Sequence, residues 1–182
     1  MANTSEARGF VPQQNCSGIN TKGTTYFIST DYSTAIYKGD LVVISSTTGG
    51  LVQCSGSATA DTNVIGIFAG CNYVDTNGRP QDGHWPGTTT NTKVVAYVFD
   101  DKDLVATVQN AAALTAANIG DPALYVVGSP STLFKRSAAV ASATTTTDAA
   151  PLNILGLAPI VGNAWGANQK ILVNFRTRAD SN

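Results

Sequence analysis

The sequence predicts an all-β protein: an antiparallel barrel or sandwich with an extended N-terminal arm and at most one or two short helices. Three observations carry that expectation. Charged residues make up only 13% of the 182 positions, about half the usual share for a soluble domain, and Thr, Ser, Ala, Gly and Val take the vacated places. Apolar and β-branched runs of four to seven residues recur with Gly, Asn, Asp or Pro turns between them. The order of those runs also occurs twice.

Residues 1–22 read as the arm, since only Phe10-Val11 offers apolar grip. Residues 23–178 read as one β-rich domain made of two pseudo-repeated halves, about 24–109 and 110–178. Thr24–Ile28 is β-branched and aromatic, hence a strand, and Ala35–Tyr37 leads to a corner at Gly39-Asp40. Leu41–Ile44 and Gly50–Gln53 form a hairpin across Thr47-Thr48-Gly49. Val64–Ala69 is a strand with a glycine inside it, the usual mark of a bulge or of another backbone passing close. Asn72–Val74 extends it towards Asp75-Thr76-Asn77-Gly78, a strong turn. Arg79–Lys93 reads as loop, Lys93–Phe99 as the clearest strand, and Leu104–Gln109 as another. Thr115 is placed to cap a single helical turn ending near Gly120. Residues 144–147 are four threonines in an Ala/Ser/Thr loop, and the tail from Thr177 is polar.

In the doubled plan, Gly39-Asp40 corresponds to Gly120-Asp121, each opening an apolar stretch (Leu41–Ile44, Ala123–Val127). Leu51-Val52 then corresponds to Leu133-Phe134 after the turn. Asn63-Val64-Ile65-Gly66-Ile67 corresponds to Asn153-Ile154-Leu155-Gly156-Leu157, and Lys93–Phe99 to Lys170–Phe175. On that pairing Gly66 and Gly156 should both lie where another backbone comes near.

A net charge of -1 supplies no field for steering nucleic acid, so no nucleic-acid partner is expected. No apolar run approaches the roughly 20 residues of a membrane-spanning helix, and no membrane partner is expected. The polar N-terminus lacks the apolar centre of a signal peptide, which predicts assembly in the cytoplasm. The three cysteines (Cys16, Cys54, Cys71) have no metal-ligand spacing, and Cys54 and Cys71 read as small core residues.

Catalytic chemistry finds few candidates. His84 is the single histidine, in Gly83-His84-Trp85-Pro86-Gly87. No nucleophile elbow or second histidine accompanies it, so it reads as a loop or contact residue. Asp100, Asp101 and Asp103 form the densest carboxylate cluster, but the glycine and distal glutamate of a calcium loop are missing. A hairpin turn accounts for Asp75–Gly78 without an ion. The expectation is a protein with no enzymatic activity, no catalytic residue, no cofactor and no metal. Tyr26, Phe27, Phe68, Tyr73, Tyr97, Phe99, Phe134 and Phe175 are assigned to strands and read mainly as core. Trp85 and Trp165 sit in Gly-rich loops, where a tryptophan either anchors an interface or folds back to plug a barrel end.

Gly39–Val43, Val64–Cys71, the turn Asp75–Gly78, Trp85-Pro86-Gly87 and Tyr97–Asp101 together resemble structural proteins of tailed bacteriophages, notably aquatic ones. Leu114–Gly120 is similar to a turn of phage virion proteins. Such proteins are commonly head decoration (cement) proteins. The resemblance, over roughly residues 24–128, implies a β-rich homotrimer, or a homodimer, bound to the major capsid protein on the outside of the virion's shell and bracing it. On that view Arg8 meets a carboxylate of the shell, Phe10 fills a pocket there, and Val11 belongs to a strand added to a neighbour's sheet. Trp85 and Trp165 are the further contact candidates. The alternative function is another virion component, such as a tail, fibre-base or glycan-binding β-domain.

Overall fold

A computed structural model describes residues 3–13, 23–29, 32–56, 63–87, 94–101, 103–144 and 150–176. The protein is all-β. Its strands are β1 (Val11–Pro12), β2 (Gly23–Ile28), β3 (Leu41–Ile44), β4 (Leu51–Gln53), β5 (Gly66–Val74), β6 (Pro80–Gly83), β7 (Val94–Phe99), β8 (Val105–Gln109), β9 (Pro122–Val126), β10 (Val140–Thr144), β11 (Leu152–Leu157) and β12 (Lys170–Phe175). The expected helical turn is a 3-10 turn, Ala116–Asn118. The backbone N–H of Thr115 donates to Asn118 Oδ1 at 3.0 Å, which fastens its start.

Five strands close into a barrel. β3 pairs with β4, β4 meets β2 in parallel at Leu51 and Ile28, and β2, β7, β5 and β3 complete the ring antiparallel. β6 hangs on β5 as an outer hairpin strand. Closure removes the unpaired sheet edges that would otherwise invite pairing with other chains.

The second sheet repeats this ring. β9 pairs with β10, β10 touches the end of β8 in parallel through Ala141 and Asn110, and β8, β12, β11 and β9 follow antiparallel. Even the registers match. Leu41↔Ile67 and Val42↔Gly66 in the first ring have Pro122↔Asn153 and Ala123↔Leu152 as counterparts. Each Gly-Asp corner is tied to the facing strand by two backbone hydrogen bonds. Gly39 N–H donates to Phe68 O (3.0 Å) and Phe68 N–H to Asp40 O (2.9 Å); Gly120 N–H donates to Ile154 O (2.8 Å) and Ile154 N–H to Asp121 O (3.1 Å).

This register corrects the glycine pairing expected from sequence. A bulge sits between Phe68 and Gly70 in β5 and between Ile154 and Gly156 in β11. Gly70 (φ +146°) and Gly156 (φ +155°) are therefore the equivalent residues, each in a conformation that favours glycine. Gly66 corresponds to Leu152 instead. A Cβ on Gly66 would fall 2.1 Å from the Phe99 carbonyl oxygen, so the close approach expected there is present. A Cβ on Gly156 would meet nothing within 4 Å.

Alternation along the strands divides the apolar side chains between two cores. Val42, Phe68, Ala96 and Val98 fill the first barrel together with Ile28, Leu51 and Trp85. Their neighbours Leu41 and Ile67 point the other way, into a larger core with Ala123, Ile154, Ile171 and Val173 of the second sheet. Cys71 belongs to the first core and Cys54 to the second, as small buried residues. Cys16 lies outside the described residues, as do positions 145–147 and the tail from 177.

Three further expectations are corrected. Leu133-Phe134 is a turn tip, not the second strand of a hairpin. That place belongs to β10, whose Val-Ala-Ser-Ala-Thr sequence has little apolar bulk. Pro80–Gly83 is a strand within the stretch read as loop. Phe27, Tyr97 and Phe134, read as core, are exposed: the first two face outward from the barrel wall, and Phe134 stands on the tip.

Candidate functional site

The arm is fastened to its own chain wherever it is described. The Asn3 side-chain amide donates to Ala164 O (2.8 Å) and Ala167 O (3.0 Å). Glu6 N–H donates to Gln109 Oε1 (2.7 Å), and Phe10 N–H to Gly39 O (2.9 Å). β1 then pairs with β8, Val11 opposite Thr107. Phe10 is 1% exposed and meets Tyr125 edge to face at 6.1 Å, a favoured aromatic geometry. Phe10 is thus an interior residue of this chain and not a plug for a partner's pocket. Its burial follows from the larger core needing an aromatic at the seam between the two sheets.

Trp85 is likewise interior, at 0% exposure, and belongs to the core of the first barrel. Its indole N–H donates to Tyr32 O (3.1 Å), its ring meets Tyr73 edge to face, and its backbone pairs with Ile36 in both directions. Trp85, a contact candidate from sequence, is thus folded back into this chain's own core. Trp165 is half-buried against the larger core. Its loop is held by Gln169, whose Oε1 accepts the backbone N–H groups of Gly166 and Leu114.

Arg8 and Val11 do reach the surface. Arg8 is exposed and pairs with Glu6 at 2.7 Å. Val11 is exposed on β1 and lines cavities on both sides of it.

The titratable groups do not converge. His84 stacks on Tyr37 with ring centroids 5.2 Å apart. Burial, and then the positive charge of Lys135, hold its imidazole below the ordinary value, so it is neutral near pH 7. Asp100 accepts the hydroxyls of Thr24 (2.9 Å) and Tyr26 (2.7 Å). Asp101 accepts the Asp103 backbone N–H (3.1 Å) within a tight turn. Asp75 accepts the N–H groups of Asn77 and Arg79, and these bonds lower its pKa. Among the described residues, no three His, Cys, Asp or Glu side chains gather where they could hold a metal ion. Asp75 and Asp101 serve the backbone turns in which they sit, and Asp100 ties the end of β7 to side chains of β2.

A different feature draws attention, one that sequence reading missed. Ser131–Arg136 forms a short closed turn, with Ser131 and Arg136 paired across its base and Phe134 N–H donating to Ser131 Oγ (3.3 Å). At its tip Leu133 is 81% and Phe134 70% exposed. Beside the turn lies a cavity of about 370 Å³ with Arg8, Lys38 and Arg136 on its rim and Phe10, Ile67 and Phe99 in its wall. The only available signal in the sequence was the adjacency of Leu133-Phe134 and Lys135-Arg136.

Comparison with protein-family models, curated proteins and solved structures returns no match for this chain.

Proposed function

We propose that this chain is a capsid decoration protein, seated on the outer surface of a tailed-phage shell and stabilising it. One observation carries the reading: large apolar side chains face water while the reactive groups are spent on the fold. Leu133, Phe134, Phe27 and Val161 are exposed, whereas His84 is stacked on Tyr37 and Asp75 and Asp101 hold turns. Such a surface suits many shallow contacts, each weak, that become strong when several copies engage one particle. The resemblance of residues 24–128 to phage head proteins supports the same reading, as does the low charge. On this reading the protein acts as a homotrimer or homodimer on the major capsid protein, without a reacting group of its own.

The experiment is a copy count. Quantitative mass spectrometry of purified source particles should find this chain near stoichiometric abundance with the major capsid protein, and electron cryomicroscopy should place it on the shell exterior. Tens of copies per particle would assign it instead to a tail or fibre base. For that second reading the relevant feature is the outer barrel wall, where exposed Phe27 and Tyr97 lie on adjacent strands. Asn72 donates to the Tyr97 hydroxyl there, and such aromatic faces can stack on sugars. Absence from particles would reject both.

A further inference from the structure

We infer that the Leu133-Phe134 tip and the cavity beside it form one docking face for an acidic protein segment that carries apolar or aromatic side chains. The argument begins with charge. The described residues contain seven lysines and arginines: Arg8, Lys38, Arg79, Lys135, Arg136, Lys170 and Arg176. Three of them, Arg8, Lys38 and Arg136, line the cavity, and Lys135 is the neighbour of Arg136 in the turn. Lys38 and Arg136 are partners in a parallel bridge and line the same cavity. Arg8 is paired with Glu6, but no carboxylate among the described residues pairs with Lys38, Lys135 or Arg136. A carboxylate arriving from outside would find cationic partners here.

The second element is shape. Leu133 and Phe134 stand at the tip of a hydrogen-bonded turn, closed at Ser131 and Arg136 and anchored where Ser137 N–H donates to Lys38 O at 3.0 Å. Order already present in the free protein does not have to be created on binding. The adjoining cavity, about 370 Å³ with an apolar wall, is within the size range of ligand sites and admits a side chain of the partner. Tip and cavity therefore ask for a counterpart that is notched, apolar in places and negatively charged. A flat lipid surface would leave the cavity empty. A nucleic acid would have to approach a chain of net charge -1 without the broad basic field such binding uses.

This goes beyond the decoration reading by naming the face and the chemistry of its counterpart, and its test needs no particle. Labelled random poly(Glu,Tyr) is titrated against the full chain by fluorescence anisotropy, with polyglutamate and phosphatidylserine vesicles as comparison probes. Poly(Glu,Tyr) should bind, and more weakly as salt rises. Lys38→Gln/Arg136→Gln should weaken it about tenfold or more, and so should Leu133→Ser/Phe134→Ser. Phe27→Ser, on the outer barrel wall, should leave it unchanged. Thermal melts of each variant check that the fold is kept, and these side chains lie on the surface. No binding, equal binding by all variants, or equal affinity for polyglutamate would overturn the inference. Variant-sensitive binding to vesicles alone would replace the protein segment with a lipid surface.

Discussion

Replacing Gly66 by alanine isolates one backbone contact that closes the first barrel. Gly66 lacks a positive φ, so the substitution brings no conformational strain. The added Cβ would lie 2.1 Å from the Phe99 carbonyl oxygen, 2.9 Å from its carbon and 3.0 Å from a Val98 methyl. A carbon and a carbonyl oxygen normally rest more than about 3 Å apart, so β5 or β7 must shift by roughly an ångström in a close-packed wall. Overpacking of this kind costs about 1–3 kcal/mol, partly offset by the lower entropy of alanine in the unfolded chain, about 0.4–1 kcal/mol. A net loss near 1.3 kcal/mol corresponds to about 3–5 °C in Tm for a chain of this size. Gly23 supplies the control. It pairs with Phe99 from the opposite side, also lacks a positive φ, and its Cβ would meet the Val98 carbonyl oxygen at an ordinary 3.4 Å. Urea unfolding should show Gly66→Ala destabilised at unchanged m-value, with Gly23→Ala within about 0.5 kcal/mol of wild type. Equal stability of the two variants would refute the close approach and with it the β3–β5–β7 closure.

Three other outcomes follow from the interior. Burial pushes the Asp40 carboxyl above the ordinary value, more than its bonds to Ser137, Tyr37 and Gln53 lower it. The folded state then binds that proton more tightly than the unfolded chain. Wild type should gain stability relative to Asp40→Asn as pH falls from neutrality to about 4; a relative loss in paired urea melts would show the sign to be wrong. Burial also raises the Cys71 thiol to about 12, and Cys54 is equally enclosed. Peptide mapping after Ellman's reagent at about pH 8 should find both unmodified in the native protein and both modified in denaturant, whereas rapid native labelling of either would contradict the packing. Gln169→Leu removes the acceptor for the Leu114 and Gly166 N–H groups. At about 1–3 kcal/mol per orphaned donor, with the Gly166 N–H only part-buried and the partnerless Gln169 amide nitrogen removed as well, it should cost about 1–3 kcal/mol in chemical denaturation, and no measurable loss would count against that role.

Local signals were legible where local chemistry decides the outcome. The hairpin Leu41–Ile44 with Leu51–Gln53 follows from β-branched runs around a Gly-Gly turn, and the turn at Thr115–Gly120 from a capping residue ahead of a short alanine stretch. Gly66 was legible as a close-approach site. Its partner was not, because Asn-Val-Ile-Gly-Ile and Asn-Ile-Leu-Gly-Leu look alike while the ladder offsets them by four residues. β10 was missed because a strand of Val, Ala, Ser and Thr shows no amphipathic contrast, and Leu133-Phe134 took its place on hydrophobicity alone. Phe10 and Trp85 sit in Gly/Pro-rich surroundings that read as surface. Only the tertiary arrangement brings Tyr125 to the one and the first barrel's core around the other. The cationic face was illegible for the same reason, since Arg8, Lys38 and Arg136 converge from three separate segments.

The fastening of the arm carries a consequence for synthesis. Residues 3–13 leave the ribosome before any of their anchors: Gly39, then Val105 and Thr107, then Gln109, and finally Ala164 and Ala167. The earliest stretch of this region to be translated can therefore be seated only after nearly all the rest, across a separation of 161 residues at Asn3 and Ala164. Phe10 itself lacks its aromatic neighbour until Tyr125 is made, and until then it is an exposed apolar side chain. Maturation should accordingly finish with the stitching down of residues 3–13 over two rings whose strands have already met.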